Sequence, residues 1–121
     1  MTDINTIARN YIALWNERMP GKRREMLQAN WTADAQYVDP LISGEGHDGV
    51  DALIAGVQQR FPDFAFSLIG EPNGFGDHLR FSWGLGPTGA DSPVKGTDFA
   101  TLKEGRIGSI TGFLDQVPQG A

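Results

Sequence analysis

The chain has 121 residues, is 40% apolar with twelve aromatics, and carries a net charge of −5 at pH 7. That is the size of one domain, residues 1–121, with a sizeable core. The acidic balance argues against a nucleic-acid groove, which needs clustered Lys and Arg, and no window approaches the roughly 18 apolar residues of a membrane span. There is no cysteine, so disulfides, thiolate metal sites and a Cys nucleophile are ruled out, as fits a cytoplasmic protein.

Ile4, Ile7, Ala8, Tyr11, Ile12, Leu14 and Trp15 follow helical spacing and predict a first helix, capped by Thr2 or Asp3. This opening stretch is amphipathic and does not read as a signal peptide. Met19-Pro20-Gly21 interrupts it. A short second helix is expected over about Lys22–Asn30, with Met26 and Leu27 inward and the basic run Lys22-Arg23-Arg24 as a solvated face. Trp31–Asp39 alternates as a strand, with Trp31, Ala33, Ala35, Tyr37 and Asp39 on one side. Pro40 weakens pairing there. A glycine-rich loop, Leu41–Gly49, leads to a third helix starting near Asp48 or Gly49. Its buried face is Val50, Leu53, Ile54, Val57 and Phe61.

The second half carries strand signal throughout. Phe64–Glu71 is followed by a turn at Asn73–Asp77. His78–Gly86 puts Leu79, Phe81, Trp83 and Leu85 on one face. Val94–Lys103 puts Val94, Gly96, Asp98, Ala100 and Leu102 on one face. Glu104-Gly105 turns the chain into Arg106–Asp115, and Gln116–Ala121 is a tail. The class is α+β: a curved, mixed, mostly antiparallel sheet wrapped against three helices as a cone-shaped barrel. Such a cone offers a concave site for a small molecule.

Gly44-Glu45-Gly46-His47-Asp48-Gly49 matches G-x-G-x-x-G, but it does not predict a dinucleotide site. Residues 40–43, Pro40 among them, separate it from the strand, and Glu45, Asp48 and Asp51 would repel a pyrophosphate. No cofactor is expected. No His and carboxylate share the spacing of a metal site, and no G-x-S-x-G elbow is present. Three polar groups instead sit on faces that should be apolar: Tyr11, Asp39 and Asp98. A buried carboxylate has to be paired, protonated or functional. Each also has a structural explanation: Tyr11 as core packing, Asp39-Pro40 as a turn, Asp98 as a solvent-facing residue if the alternation slips by one. Together, on three elements that surround one cone, they point to a site.

YIALWNER, YVDPLISGEG and GTDFATLKEGRIGSITGFLDQV resemble the fold shared by ketosteroid isomerases, SnoaL-like polyketide cyclases and the nuclear transport factor family, over nearly the whole chain. The resemblance to ketosteroid isomerases implies that Tyr11 and a protonated Asp98 donate to an oxyanion and that Asp39 is the general base. It also implies a substrate-binding wall of Trp15, Tyr37, Ile110, Gly112 and Leu114. Leu114 stands where that family carries a pocket tryptophan. The expected substrate is a small apolar carbonyl compound, isomerised or cyclised by an aldol-type step. The alternative is a pocket protein without catalysis. Under either, the surplus of aromatic residues on the strands predicts a homodimer.

Overall fold

The computed structural model describes residues 3–118; Thr2 and the last three residues of the expected tail lie outside them. Helix α1 (Ile4–Asn16) starts on Asp3, whose carboxylate accepts the Asn5 N–H at 3.0 Å, and it buries Ala8, Tyr11, Leu14 and Trp15. Helix α2 (Pro20–Asn30) begins earlier than the sequence suggests. Pro20 stands at its first turn, where a missing N–H costs nothing. The strands are β1 (Trp31–Val38), β2 (Ser43–Glu45), β3 (Phe64–Phe75), β4 (His78–Pro87), β5 (Val94–Lys103) and β6 (Arg106–Gln116), with helix α3 (Gly46–Arg60) after β2.

One six-stranded sheet runs in the order β2-β1-β6-β5-β4-β3. Only β1 and β6 pair in parallel; the other neighbours are antiparallel. The expected cone of curved, mixed sheet against three helices is present; the sheet stays open, with β2 and β3 at its two edges, and does not close into a barrel. Register breaks in β1, β3, β5 and β6 accompany the curvature. The β5–β6 turn carries positive φ at Glu104 (53°) and Gly105 (80°), the pairing that a tight hairpin of the right twist demands.

The alternation of β4 and β5 is as expected: Leu79, Phe81, Trp83, Leu85 and Val94, Gly96, Asp98, Ala100, Leu102 are all buried. In β1 the pattern fails at Ala33, which is exposed where the pairing with β6 shifts. The loop expected over Leu41–Gly49 contains β2 and the first turn of α3. A side chain at Gly44 would press on Leu53 Cδ1 at 2.9 Å and on the Gly49 carbonyl oxygen at 3.0 Å, so glycine there lets β2 pack against α3.

The basic run needs a second correction. Arg23 is 4% exposed. It donates to Asp51 at 2.7 Å, to Gln58 Oε1 at 3.1 Å and to the Glu17 carbonyl at 3.1 Å. Gln58 in turn donates to the carbonyls of Trp15 and Glu17 at 3.0 and 2.8 Å. This network clamps the end of α1 to α2 and α3.

Candidate active site

Asp39 lies in the four-residue connection between β1 and β2, which pair from Val38 and Ser43 inward. Its Oδ1 accepts the N–H groups of Leu41 (2.8 Å) and Ile42 (2.9 Å), and its own N–H donates to the Ile42 carbonyl at 2.9 Å. Pro40 has no N–H to compete for that oxygen. The turn and the site are therefore built from the same residue: Oδ1 closes the turn, and Oδ2 is left to accept the Tyr37 hydroxyl at 2.7 Å.

Asp98 sits mid-strand in β5, between Phe81 on β4 and Gly112 on β6, and is 1% exposed. Its Oδ2 accepts the Tyr11 hydroxyl at 2.5 Å, a short, strong contact across 87 positions of chain. Its Oδ1 has no partner. Burial pushes the carboxyl up from the ordinary aspartate value to about 6. The Tyr11 hydroxyl and the Trp83 indole oppose the rise, and the negative charges of Asp39 and Asp115 add to it. Burial and the neighbouring Asp98 charge also hold the Tyr11 and Tyr37 hydroxyls well above their ordinary value, so both stay protonated donors.

Gly112 is the meeting point. A Cβ there would lie 2.8 Å from Asp98 Oδ1, 3.1 Å from Asp39 Cβ and 3.6 Å from the Tyr37 hydroxyl. Both carboxylates thus converge over a residue that must stay without a side chain. They open on a cavity of about 500 Å³ whose lining includes Tyr11, Trp15, Tyr37, Asp39 and Asp98. That volume suits a small organic ligand. A side chain at Gly96 would collide with the Trp83 ring, so the glycine on β5 makes room for the indole beside Asp98.

Of the eight residues expected at the site, these five line the cavity and Gly112 separates the two acids. Ile110 lies in the core at 1% exposure, and Leu114 packs against the core; neither is among the lining residues. Trp83 and Phe66 on the sheet, with Val57 and Arg60 on α3 and Phe61 just past its end, were not anticipated. The helical stripe that carries Val57 and Phe61 is legible as buried, but burial alone does not separate a cavity wall from solid core. The indole N–H groups of Trp15 and Trp83 are buried without hydrogen-bond partners, facing Tyr11 and Asp98. Among the described residues, no three His, Cys, Asp or Glu side chains gather as a metal site, and no helix is long and apolar enough to cross a membrane.

Solved structures share this fold. The chain is 44% identical, over 95% of its length and 99% of the other, to a proposed isomerase of the SnoaL-like family from Agrobacterium tumefaciens, with a TM-score of 0.89. A proposed ketosteroid isomerase from Kribbella flavida matches at 18% identity and TM-score 0.70, over 98% of this chain and 82% of that one. A proposed polyketide cyclase from Sinorhizobium meliloti matches at the same identity and score, over 88% and 93%. The last two likenesses establish the fold alone. No curated protein matches the chain. Residues 8–110 match the SnoaL-like domain, and the chain belongs to that family.

Proposed function

We propose that the protein is an acid–base enzyme that moves a proton next to the carbonyl of a small, mostly apolar compound, by isomerisation or aldol-type ring closure. The observation that carries this reading is the pairing of two unlike carboxylates over Gly112: one anchored at a turn in the cavity lining with its second oxygen on Tyr37, one buried beside a tyrosine. A carboxyl pushed toward its neutral form by burial is suited to donate a hydrogen bond rather than to act as the base.

In this reading Asp39 takes the proton on Oδ2. Charge then develops on the carbonyl oxygen. Neutral Asp98 carries its proton on Oδ1, because Oδ2 is taken by Tyr11, and donates it as a hydrogen bond to that oxygen. Tyr11 holds Asp98 in place and joins the oxygen when its hydroxyl turns from the carboxylate. The aromatic walls Trp15, Phe66 and Trp83 exclude water, which strengthens each of these contacts. These steps use neither cofactor nor metal.

The test is the base-promoted ring opening of 5-nitrobenzisoxazole to a cyanonitrophenolate, followed by absorbance. This reaction reports a carboxylate base in an apolar cavity without requiring the natural substrate. Asp39→Asn is expected to reduce the rate about 100-fold or more, within the usual contribution of a general base, while thermal unfolding remains cooperative. An unchanged rate in Asp39→Asn removes Asp39 as the base. Saturable binding of the compound without ring opening in the unaltered protein would favour a binding module instead, a reading supported by the commitment of the Tyr11 proton to Asp98.

A homodimer through the outer sheet face is part of the same proposal. Phe99 and Phe113 are 40% and 58% exposed on adjacent strands, where an isolated sheet would carry polar residues. Light scattering at micromolar concentration should give twice the chain mass; a monomer overturns the assignment.

A further inference from the structure

Resting on the assignment of Asp39 as the base, we propose that Tyr37 is a positioning residue that leaves Asp39 a single open lone pair and aims it into the cavity. A carboxylate offers about four lone-pair sites. On Asp39 the Leu41 and Ile42 N–H groups occupy Oδ1, and the Tyr37 hydroxyl occupies one site of Oδ2. One site on Oδ2 remains for a substrate proton.

The two amide contacts alone do not set this direction. Both bind the same oxygen, so the carboxylate can still pivot about it, and the third contact, on the other oxygen, stops the pivot. Tyr37 is itself held on every side. Its backbone lies in the sheet interior, paired with Gly44 on β2 and Ile110 on β6. Its ring is 5% exposed and packs against Trp15 with centroids 5.5 Å apart. Burial keeps its hydroxyl protonated, so it donates to Asp39 throughout. Its oxygen also stands 3.6 Å from the point where a Gly112 side chain would begin, on the side of Asp98. The hydroxyl thus marks the boundary between the two acids and keeps the open lone pair of Asp39 on the cavity side. Tyr37 makes no new bond in the reaction and acts through Asp39.

The experiment is a double-mutant cycle with the 5-nitrobenzisoxazole reaction. Tyr37→Phe should lower kcat about tenfold, as expected for a misaligned base, with KM within about twofold, the signature of an effect confined to the transition state. In an Asp39→Asn background the same change should have no further effect. If Tyr37→Phe does not unfold cooperatively, Tyr37→Met supplies the same loss of a donor at similar volume. Tyr37→Phe with unchanged kcat, alongside inactive Asp39→Asn, overturns the positioning role and leaves the base assignment standing. Equal losses from Tyr37→Phe in both backgrounds also overturn it, because the residue then acts independently of Asp39. Full activity in Asp39→Asn overturns the base assignment and this inference with it.

Discussion

Two buried polar clusters lie at opposite ends of Trp15, and they differ in one respect. At the backbone end, Arg23, Asp51 and Gln58 form a closed network in which each side chain finds partners and two free carbonyls are satisfied. At the indole end, Tyr11 and Asp98 share one hydrogen bond, while Asp98 Oδ1 and the N–H groups of Trp15 and Trp83 have none. Only four buried side-chain polar atoms of the described residues lack a partner, and three of them surround the cavity. A fold that satisfies one buried cluster completely is able to satisfy another. Unpaired groups concentrated in a single place are what the proposed ligand chemistry would leave there.

The largest expected effect falls on the closed cluster. Arg23→Met strands the Asp51 carboxylate, the Gln58 carbonyl oxygen and the Glu17 carbonyl behind α2. Removing one partner of a buried pair costs about 3–5 kcal/mol, most of it from the charge left behind. Urea unfolding of Arg23→Met should show that loss, and Arg23→Met with Asp51→Leu should recover much of it. The rate of the ring-opening reaction in the folded fraction should stay close to that of the unaltered protein, since none of the side chains of Arg23, Asp51 and Gln58 lines the cavity. A loss of stability near zero would make this cluster a surface feature and dissolve the contrast.

The same contrast explains what the sequence could announce. Asp39, Asp98 and Tyr11 are legible because strand and helix periodicity leave each on an apolar face, where a polar group needs a reason. Arg23 carries the same weight and is not legible, because it stands between Lys22 and Arg24 in a run that reads as solvated. Its signal lies elsewhere: Asp51, Ile54 and Gln58 share one face of α3, so two polar residues flank a buried isoleucine. Strand β2 is hidden because three residues, Ser43, Gly44 and Glu45, carry no period. Trp83 and Phe66 are legible as inward-facing but not as cavity wall, because that distinction depends on what fills the space beyond the ring. Asp39 shows the limit most clearly. Turn residue and proposed base compete as descriptions of one residue: Oδ1 closes the turn while Oδ2 meets Tyr37, a division that no sequence pattern carries.

The smaller effect falls on the open cluster and depends on pH. Asp98 titrates at about 6 in the folded protein and near 3.8 without burial. The folded state therefore holds a proton that the unfolded chain has already released. Stability is fully present below about pH 4 and falls as pH rises through about 6, by a total of about 3 kcal/mol for a shift of this size. Other carboxylates titrate at the acid end of this window, so the quantity to measure is the difference between the unaltered protein and Asp98→Asn. Between pH 4.5 and 7.5, roughly the span of this titration, unfolding free energies of the unaltered protein should decline relative to those of Asp98→Asn. The ring-opening reaction should follow the same group: kcat/KM should fall above about pH 6 as Asp98 loses its proton, and Asp98→Asn should lack that limb. Parallel stability curves for the two proteins would show Asp98 to be ionised at both ends of the range. The open cluster would then be a second, less complete version of the closed one, and the oxygen above Gly112 would have no proton to offer.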